Sequence, residues 1–209
     1  ANWAKPEIAS MNMGSFNFNI SGAAKRGQFD HEWEQPYLEM TTDFILSNTF
    51  TQIERAMTEL GDHGTRFEFE CYDVGHLYNL AHFADRGMVK PPFFVQSIFG
   101  ILGGIGADPE NLMNMKATAD RLFGEDYFLS VLAAGRHQFP FVTMGAILGG
   151  NVRVGLEDNL YLSKGQLSPS NAASVTKIRH ILEELSLEIA TPDEAREMLG
   201  TKGAANVGF

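Results

Sequence analysis

Three charged residues near a short β-branched stretch are the first candidates for chemistry. Arg153 lies within this stretch, and Glu157 and Asp158 follow the glycine that should end it. Side chains alternate between the two faces of a strand, so Arg153 should point away from Val152 and Val154. An arginine within reach of two carboxylates can hold one ionised and leave the other to bind a metal or move a proton. A solvated turn with a structural ion pair has the same spacing, and the spacing alone leaves both interpretations open.

The elements that position these residues are predicted by hydrophobic periodicity. Apolar runs of strand length occur at 7–12, 65–71, 92–98, 127–133 and 151–155, and each precedes a glycine-containing or polar turn. Helical patterns alternate with them, which indicates βα units and an α/β fold. Either a doubly wound five-stranded sheet or part of an eight-stranded barrel would fit. In both, active sites form at the carboxyl edge of the strands, where Glu157 and Asp158 should stand.

Start signals predict three of the helices. Asp-Pro, Ser-Pro and Thr-Pro pairs precede segments 110–123, 170–186 and the helix that begins at 192, and the last has a capping box with Glu194. Two apolar stripes are predicted to be core: Leu112, Met115, Ala119 and Leu122, and Val175, Ile178, Leu182 and Leu185. Segment 18–46 lacks a period, and we expect an inserted loop after the first strand that closes over a substrate.

Composition favours one domain over 1–209 that acts on a small molecule. The chain has 209 residues, of which 44% are hydrophobic, and a formal net charge of -10. Without a long Lys/Arg cluster, nucleic acid and anionic membrane are poor partners. Cys71 is the single cysteine and lies in a strand pattern, so we expect it to be buried. The lack of a disulfide pair, of a signal-peptide pattern and of an 18-residue apolar run predicts a cytoplasmic protein.

Six short blocks occur in order along the chain. They lie at 10–18, 66–73, 100–106, 135–138, 153–158 and 190–195, and they read SMNMGSFNF, RFEFECYD, GILGGIG, GRHQ, RVGLED and ATPDEA. In these blocks and over almost its whole length, the sequence resembles the beta-keto acid cleavage enzymes. The resemblance implies a (β/α)8 TIM barrel, to which this chain supplies about five of the eight βα units.

The resemblance also implies zinc. The family binds Zn2+ through a His-x-His pair near an early strand and through the glutamate that matches Glu157. No two of the six histidines here are separated by one residue. We therefore expect the two histidine ligands upstream of Ala1 and interpret the chain as the carboxyl-terminal part of the enzyme.

By resemblance, the activity is acetyl-CoA-dependent cleavage of a beta-keto acid by Claisen/retro-Claisen chemistry, which gives acetoacetate and an acyl-CoA. Arg153 and Asp158 would be the catalytic pair, and Ser15 would contact the substrate, with a turn-forming hydroxyl as the alternative. Alternation along 66–71 puts Glu68 and Glu70 on the face opposite Phe67 and Phe69, and we expect Glu70 to lie in the substrate pocket. A structural pairing of Glu70 with Arg66 remains open. The resemblance further implies a homo-oligomer, a tetramer.

The glycine-rich run at 100–106 fits neither a Walker loop nor a Rossmann fingerprint. Gly103, Gly104 and Arg136 are candidate contacts for CoA, with an ordinary βα loop as the alternative. Two other functions remain open. A metal-dependent aldolase or decarboxylase on the same barrel would work without acetyl-CoA, and a fragment lacking the zinc histidines would be catalytically inert.

Overall fold

The structure is a computed structural model that describes residues 3–26 and 29–209. Its strands are β1 (Ile8–Asn12), β2 (Phe16–Asn17), β3 (Ile45–Leu46), β4 (Arg66–Cys71), β5 (Phe93–Phe99), β6 (Tyr127–Ala133), β7 (Asn151–Val152), β8 (Tyr161–Ser163) and β9 (Gln166–Leu167). Its α-helices are α1 (Glu34–Met40), α2 (Phe50–Gly61), α3 (Val74–Asp85), α4 (Pro109–Phe123), α5 (Gln138–Ile147), α6 (Asn171–Glu184) and α7 (Pro192–Leu199).

A parallel sheet forms the centre of the fold. Its order is β1-β4-β5-β6-β7, and every neighbouring pair is parallel. Helices α2 to α5 connect successive strands, as parallel pairing requires. The short strands β2 and β3 form one antiparallel pair, and β8 and β9 form another. The fold is therefore α/β with a five-stranded parallel sheet.

Four of the described helices, α2, α3, α6 and α7, begin where short polar side chains satisfy free backbone N–H groups. Thr191 forms the predicted capping box with Glu194 at α7, and Thr49 forms a second one with Gln52 at α2. Ser170 caps α6 by accepting a hydrogen bond from the Ala173 N–H. The predicted starts of α4, α6 and α7 lie within one residue of the observed ones, and α4 begins at Pro109 without a side-chain cap.

The two faces of the sheet differ in polarity. One face packs against the helices and forms the main core, with Met11, Phe69, Val95 and Val131 among its buried residues. The opposite face carries a polar row in cross-strand register: Asn12, Glu70, Gln96, Ser130 and Asn151. This alternation sorts Phe67 and Phe69 from Glu68 and Glu70 along β4, as predicted.

Most predicted strands agree with the structure to within one residue, but the last does not. Strand β7 covers Asn151–Val152, whereas the prediction extended to 155. The chain turns early because the Gly155 carbonyl accepts hydrogen bonds from the N–H groups of Asp158 and Asn159. The Arg153 N–H still donates to the Val131 carbonyl, which keeps Arg153 in register with the sheet.

The first predicted apolar stripe is confirmed, and the second is correct only in part. Leu112, Met115 and Ala119 are buried, and Leu122 packs against the same core. On α6, Ile178 and Leu182 are buried, but Val175 is 52% exposed and Leu185 42% exposed. Helix α6 packs on a small cluster around Phe139 and Val142 rather than on the main core, so only a narrow stripe is covered.

The segment between β1 and α2 contains local structure in its described part. It includes a 3-10 turn at Ser21–Arg26, helix α1 and strand β3. The Thr41 hydroxyl joins two parts of this segment, because it accepts a hydrogen bond from the Ile20 N–H and donates one to the Leu38 carbonyl of α1. In the part of the chain that the structure describes, no helix is long and apolar enough to cross a membrane.

Candidate active site

The guanidinium of Arg153 is the centre of a carboxylate cluster on the polar face. Its Nη1 lies 2.9 Å from Glu70 Oε1 and 3.5 Å from Glu68 Oε1. Its Nη2 lies 2.8 Å from Glu157 Oε2, and its Nε lies 3.4 Å from Asp158 Oδ2. Four carboxylates share one cation, so the cluster is electronegative. The structure thus brings together four of the predicted site residues, Arg153, Glu157, Asp158 and Glu70.

The direction of Arg153 follows from the packing of its neighbours. Val152 and Val154 pack into the cluster between α5 and α6. Alternation along the strand then turns Arg153 to the opposite face, as predicted. Burial of apolar surface at the two valines therefore decides where the guanidinium stands.

Glu70 is buried and held through both carboxylate oxygens. Oε1 accepts from Arg153, and Oε2 accepts a hydrogen bond from the Tyr72 hydroxyl at 3.0 Å. The alternative pairing with Arg66 is wrong, because Arg66 donates to the backbone carbonyls of Pro92 and Leu199. The role of Glu70 in substrate binding stays a prediction.

Glu68 also belongs to the cluster, although the predicted site did not include it. The Ser10 hydroxyl donates to Glu68 Oε1 at 3.3 Å. Burial raises the pKa of Glu68, and the adjacent Glu70 carboxylate raises it further. The alternation along β4 was the available signal, since it already placed Glu68 beside Glu70 on the polar face.

Asp158 has the most informative environment in the cluster. Its side chain is only 9% exposed. Burial raises its pKa to about 6 despite the opposing effect of Arg153, and the charges of Glu157 and Glu70 add to the increase. Arg153 favours the ionised form of this carboxylate, but desolvation has the larger effect on its pKa. Asp158 is therefore able to exchange a proton near neutral pH.

Glu157 differs from its neighbour, because its side chain is 82% exposed. The two carboxylates bind different nitrogens of Arg153, so both face the same guanidinium. A metal needs several such groups. Among residues 3–26 and 29–209, no three His, Cys, Asp or Glu side chains are arranged to hold one. Glu157 thus offers a single exposed ligand.

Tyr72 links several loops at the carboxyl edge. Its ring stacks on Phe16 with a centroid separation of 4.4 Å, its N–H donates to His76 Nδ1, and its carbonyl accepts from the Ile105 N–H. Burial lowers the pKa of His76 and favours the neutral imidazole. Neither residue was among the predicted site residues. Cys71, beside Tyr72, is fully buried as predicted.

Ser15 lies three residues beyond β1 and is exposed. Its hydroxyl accepts a hydrogen bond from the Asn48 N–H at 2.7 Å, which closes the loop that leads into α2. This bond accounts for a hydroxyl at this position. Contact between Ser15 and a substrate stays a prediction.

Backbone packing accounts for the glycines of the 100–106 loop. A Cβ on Gly103 would lie 1.4 Å from the Asn17 carbonyl oxygen, and one on Gly104 would lie 2.8 Å from that of Tyr72. Only glycine fits such close approach. Arg136 is exposed, and its Nε donates to the ring of His137. Contacts of Gly103, Gly104 and Arg136 with CoA stay predictions.

An open cavity of about 420 Å³ lies beside this loop. Its lining consists of segments 17–19 and 41–45 together with Leu102 and Gly103. The segment inserted after β1 therefore forms part of a concave surface with the glycine-rich loop.

Comparison with known proteins identifies the family of this chain. Residues 1–201 match the sequence pattern of the beta-keto acid cleavage enzyme family. The chain is 58% identical over 206 residues to the 3,5-dioxohexanoate:acetyl-CoA acetone transferase of Paraburkholderia graminis, covering 98% of this chain and 66% of that protein. It is 33% identical to the 3-keto-5-aminohexanoate cleavage enzyme of Acetoanaerobium sticklandii, covering 94% of this chain and 62% of that enzyme.

A solved structure shares the fold. The apo structure of ObcA superimposes with a TM-score of 0.66 at 16% identity, covering 94% of this chain and 44% of that one. Against the two curated relatives named above, the chain spans about two thirds of their length. With a match over residues 1–201 and these relatives, the chain belongs to the beta-keto acid cleavage enzyme family.

Proposed function

We propose that the protein cleaves a beta-keto acid in an acetyl-CoA-dependent reaction that gives acetoacetate and a new acyl-CoA. The observation that carries this proposal is the position of the Asp158 carboxylate, which is buried and has its Oδ2 3.4 Å from Arg153 Nε. A carboxylate in this state suits removal of a proton next to a carbonyl at neutral pH. The family and the names of the relatives supply the reaction class.

The substrate class follows from the 58% identical relative, which is named for 3,5-dioxohexanoate. We infer that the substrate is a short 3,5-diketo acid. With this acid and acetyl-CoA, carbon balance gives acetoacetate and acetoacetyl-CoA as the two products. Tyr72, Ile98 and Leu132 form an apolar cluster at the same edge of the sheet, which suits an uncharged side chain better than an ionic one.

In this reaction Asp158 accepts the proton from the carbon between the carboxylate and the 3-keto group. The resulting carbanion attacks the acetyl carbonyl of acetyl-CoA and expels the CoA thiolate. The thiolate then attacks the 3-keto carbon, and the carbon–carbon bond breaks to give the new thioester. Asp158 returns its proton to the departing acetoacetate carbanion. The guanidinium of Arg153 balances the charge that develops on oxygen during these steps.

Zinc belongs to this proposal through Glu157. Its exposed carboxylate fits one ligand of a zinc site, and we infer two further histidine ligands from outside this sequence. Bound zinc would polarise the keto group as a Lewis acid. Glu157→Gln should weaken zinc binding, whereas Asp158→Asn should spare it, and zinc content measured by elemental analysis separates the two roles.

The remaining contacts are assigned by position. Ser15 is exposed beyond β1 and suits the substrate carboxylate or keto oxygen. Arg136 follows Gly135, whose N–H donates to the Asp158 carbonyl at 2.7 Å, so the backbone of Arg136 lies next to the turn that holds Asp158. Its guanidinium is exposed and suits a CoA phosphate. Gly103 lines the cavity without a side chain, and Gly104 follows it in the same loop, which favours approach of a pantetheine chain.

The architecture and setting are also inferred. We infer that the five parallel strands are part of a closed (β/α)8 barrel, supported by the polar face that the sheet presents opposite its helices. Segment 18–46 is inferred to cover the substrate. A cytoplasmic location is supported by the buried free thiol of Cys71. A homo-oligomer remains an inference from the family resemblance.

The test is a product analysis. The full-length protein is incubated with 3,5-dioxohexanoate and acetyl-CoA, and acetoacetyl-CoA and acetoacetate are quantified by mass spectrometry. We expect both in equal amounts and neither without acetyl-CoA. Carbon–carbon cleavage without acetyl-CoA would favour the aldolase or decarboxylase, and no reaction with any beta-keto acid would reject the proposal.

A further inference from the structure

One peptide group in the turn before the carboxylates is bound on both sides by side-chain amides. The carbonyl of Gly155 accepts a hydrogen bond from Gln138 Nε2 at 3.2 Å. The N–H of Leu156 donates to Asn171 Oδ1 at 2.8 Å. These two atoms belong to the same peptide plane. We call this pair of contacts the amide clamp.

The clamp fixes the plane from which the turn is built. The same Gly155 carbonyl oxygen also accepts from the N–H groups of Asp158 and Asn159, at 3.3 and 3.1 Å. A rotation of this peptide would break these turn bonds together with the clamp. Because Glu157 and Asp158 lie one and two residues beyond it, their directions toward Arg153 depend on its orientation.

The two clamp residues are well placed to be rigid. Gln138 and Asn171 are the first residues of helices α5 and α6. The helices pack together through a shared apolar cluster that includes Phe139 and Ile178. Gln138 is fully buried. The clamp therefore ties the turn to two helices that pack against each other.

The side chain of Asn171 is not needed to start its own helix. Ser170 is the N-cap residue, and its hydroxyl accepts the hydrogen bond from the Ala173 N–H. The Asn171 oxygen instead accepts from the turn. Gly155 fits against it closely, since a Cβ there would lie 3.1 Å from Asn171 Oδ1. The contact is thus directed at the turn rather than at α6.

We propose that Asn171, together with Gln138, is a positioning residue that holds the Glu157–Asp158 turn against Arg153. This inference rests on the proposed function for its effect on turnover. It does not require either amide to touch the substrate. Its prediction is that loss of the Asn171 acceptor displaces the turn while the helix and the core remain intact.

The experiment compares three variants of the full-length protein. Asn171→Ala removes the acceptor, Asn171→Asp keeps an acceptor oxygen, and Ser170→Ala weakens the same helix end without touching the turn. Asn171 is exposed, so these changes should be tolerated. We expect Asn171→Ala to lower kcat about tenfold with little change in KM, as for other residues that orient a metal ligand or catalytic group. Asn171→Asp should restore kcat, and Ser170→Ala should leave it near wild type.

A second readout does not depend on activity. Amide hydrogen exchange at Leu156 should be faster in Asn171→Ala than in wild type, and protected again in Asn171→Asp. Equal Leu156 protection in Asn171→Ala and Ser170→Ala would overturn the clamp. Faster exchange with unchanged kcat in an active enzyme would overturn the positioning role. If the wild-type protein lacks activity, the proposed function fails, and the exchange measurement still decides whether the clamp exists.

Discussion

Arg153 binds Glu70 at 2.9 Å although 83 positions separate them in the chain. Glu70 lies on β4 and Arg153 follows β7, so β5 and β6 stand between their strands in the sheet. In a flat sheet three strand spacings amount to about 14 Å. The two long side chains therefore reach toward each other across the polar face and tie its centre to its edge.

The first prediction concerns the stability that Arg153 provides. Arg153→Met keeps an unbranched apolar stem but leaves the Glu70, Glu68 and Asp158 carboxylates without their cation. We expect the free energy of unfolding at pH 7 to fall by roughly 2–3 kcal/mol, below the cost of breaking a fully buried pair because the guanidinium is partly exposed. Urea denaturation measures it.

The control for Arg153 is Arg55→Met, since Arg55 pairs with Glu59 at an exposed surface. That change should leave the urea midpoint near wild type. Adding Glu70→Gln to Arg153→Met should recover part of the lost stability. If the double variant is less stable than Arg153→Met, repulsion among the carboxylates that Arg153 no longer neutralises is not the cause of the loss.

A second prediction tests the Tyr72 hydroxyl. Tyr72→Phe removes the donor to Glu70 Oε2 and leaves a buried carboxylate oxygen unsatisfied. The expected loss of unfolding free energy is about 1–2 kcal/mol. Tyr78→Phe is the matched control, because the Tyr78 hydroxyl accepts from Arg121 at an exposed site. Similar losses of unfolding free energy in both variants would show that burial does not make the Tyr72–Glu70 hydrogen bond more stabilising than an exposed one.

A third prediction concerns the acid/base group. Asp158→Asn preserves the shape of the side chain but cannot accept the substrate proton. Turnover should fall by about 10²–10⁴-fold, the usual contribution of a positioned base. Glu188→Gln, at an exposed position, should leave turnover unchanged. Wild-type turnover in Asp158→Asn would remove the acid/base assignment, provided that circular dichroism shows the variant folded.

The fourth prediction is the pH dependence of activity. Burial raises the pKa of Asp158 to about 6, and the base must be ionised to accept a proton. In the active, zinc-loaded enzyme, kcat/KM should therefore rise with pH and level off once Asp158 is ionised. Its midpoint should lie below 6, because a bound cation favours the ionised carboxylate. A profile that falls as pH rises through 6 would contradict the assignment.

The same pKa has a consequence of opposite sign for stability. The folded state binds the Asp158 proton more tightly than the unfolded chain does, because in the unfolded chain this carboxyl group has its ordinary pKa of 3.8. The resulting stabilisation is complete below that value and is lost as pH rises through about 6. Asp158→Asn should thus be more stable than wild type at pH 8 and similar at pH 3.5. Urea midpoints at the two pH values provide the check.

The fifth prediction tests the glycine-rich loop. Gly103→Ala places a Cβ against the Asn17 carbonyl, at a φ of +106° that disfavours side chains. The loop must shift, and we expect a lower melting temperature together with loss of the cavity beside Leu102. Gly22→Ala is the control, because its Cβ would meet nothing within 4 Å. Equal melting temperatures for the two variants would contradict the close approach.

Local signals made much of the fold predictable. Strand alternation placed Glu68 and Glu70 opposite Phe67 and Phe69, and the capping box predicted the start of α7 at Thr191. Both depend on residues close in sequence. The exposure of Val175 and Leu185 was not predictable, because periodicity shows which face of a helix is apolar but not how much of it a neighbour covers.

Part of the candidate site was also within reach of the sequence. The spacing of Arg153, Glu157 and Asp158 and the family resemblance gave the charged group and its expected chemistry. The spacing did not show that Asp158 is buried and Glu157 exposed, and this difference decides which carboxylate has the raised pKa. Burial depends on the packing around the turn, which adjacent residues do not encode.

The sequence alone determined the class of the fold and the kinds of group at its carboxyl edge, since both follow from periodicity and short motifs. The tertiary structure decided which groups meet. It placed Glu70 and Tyr72 beside Arg153, and it brought Gln138 and Asn171 to the two sides of one peptide plane. These contacts join residues distant in the chain, and their geometry is set by the sheet register and by helix packing.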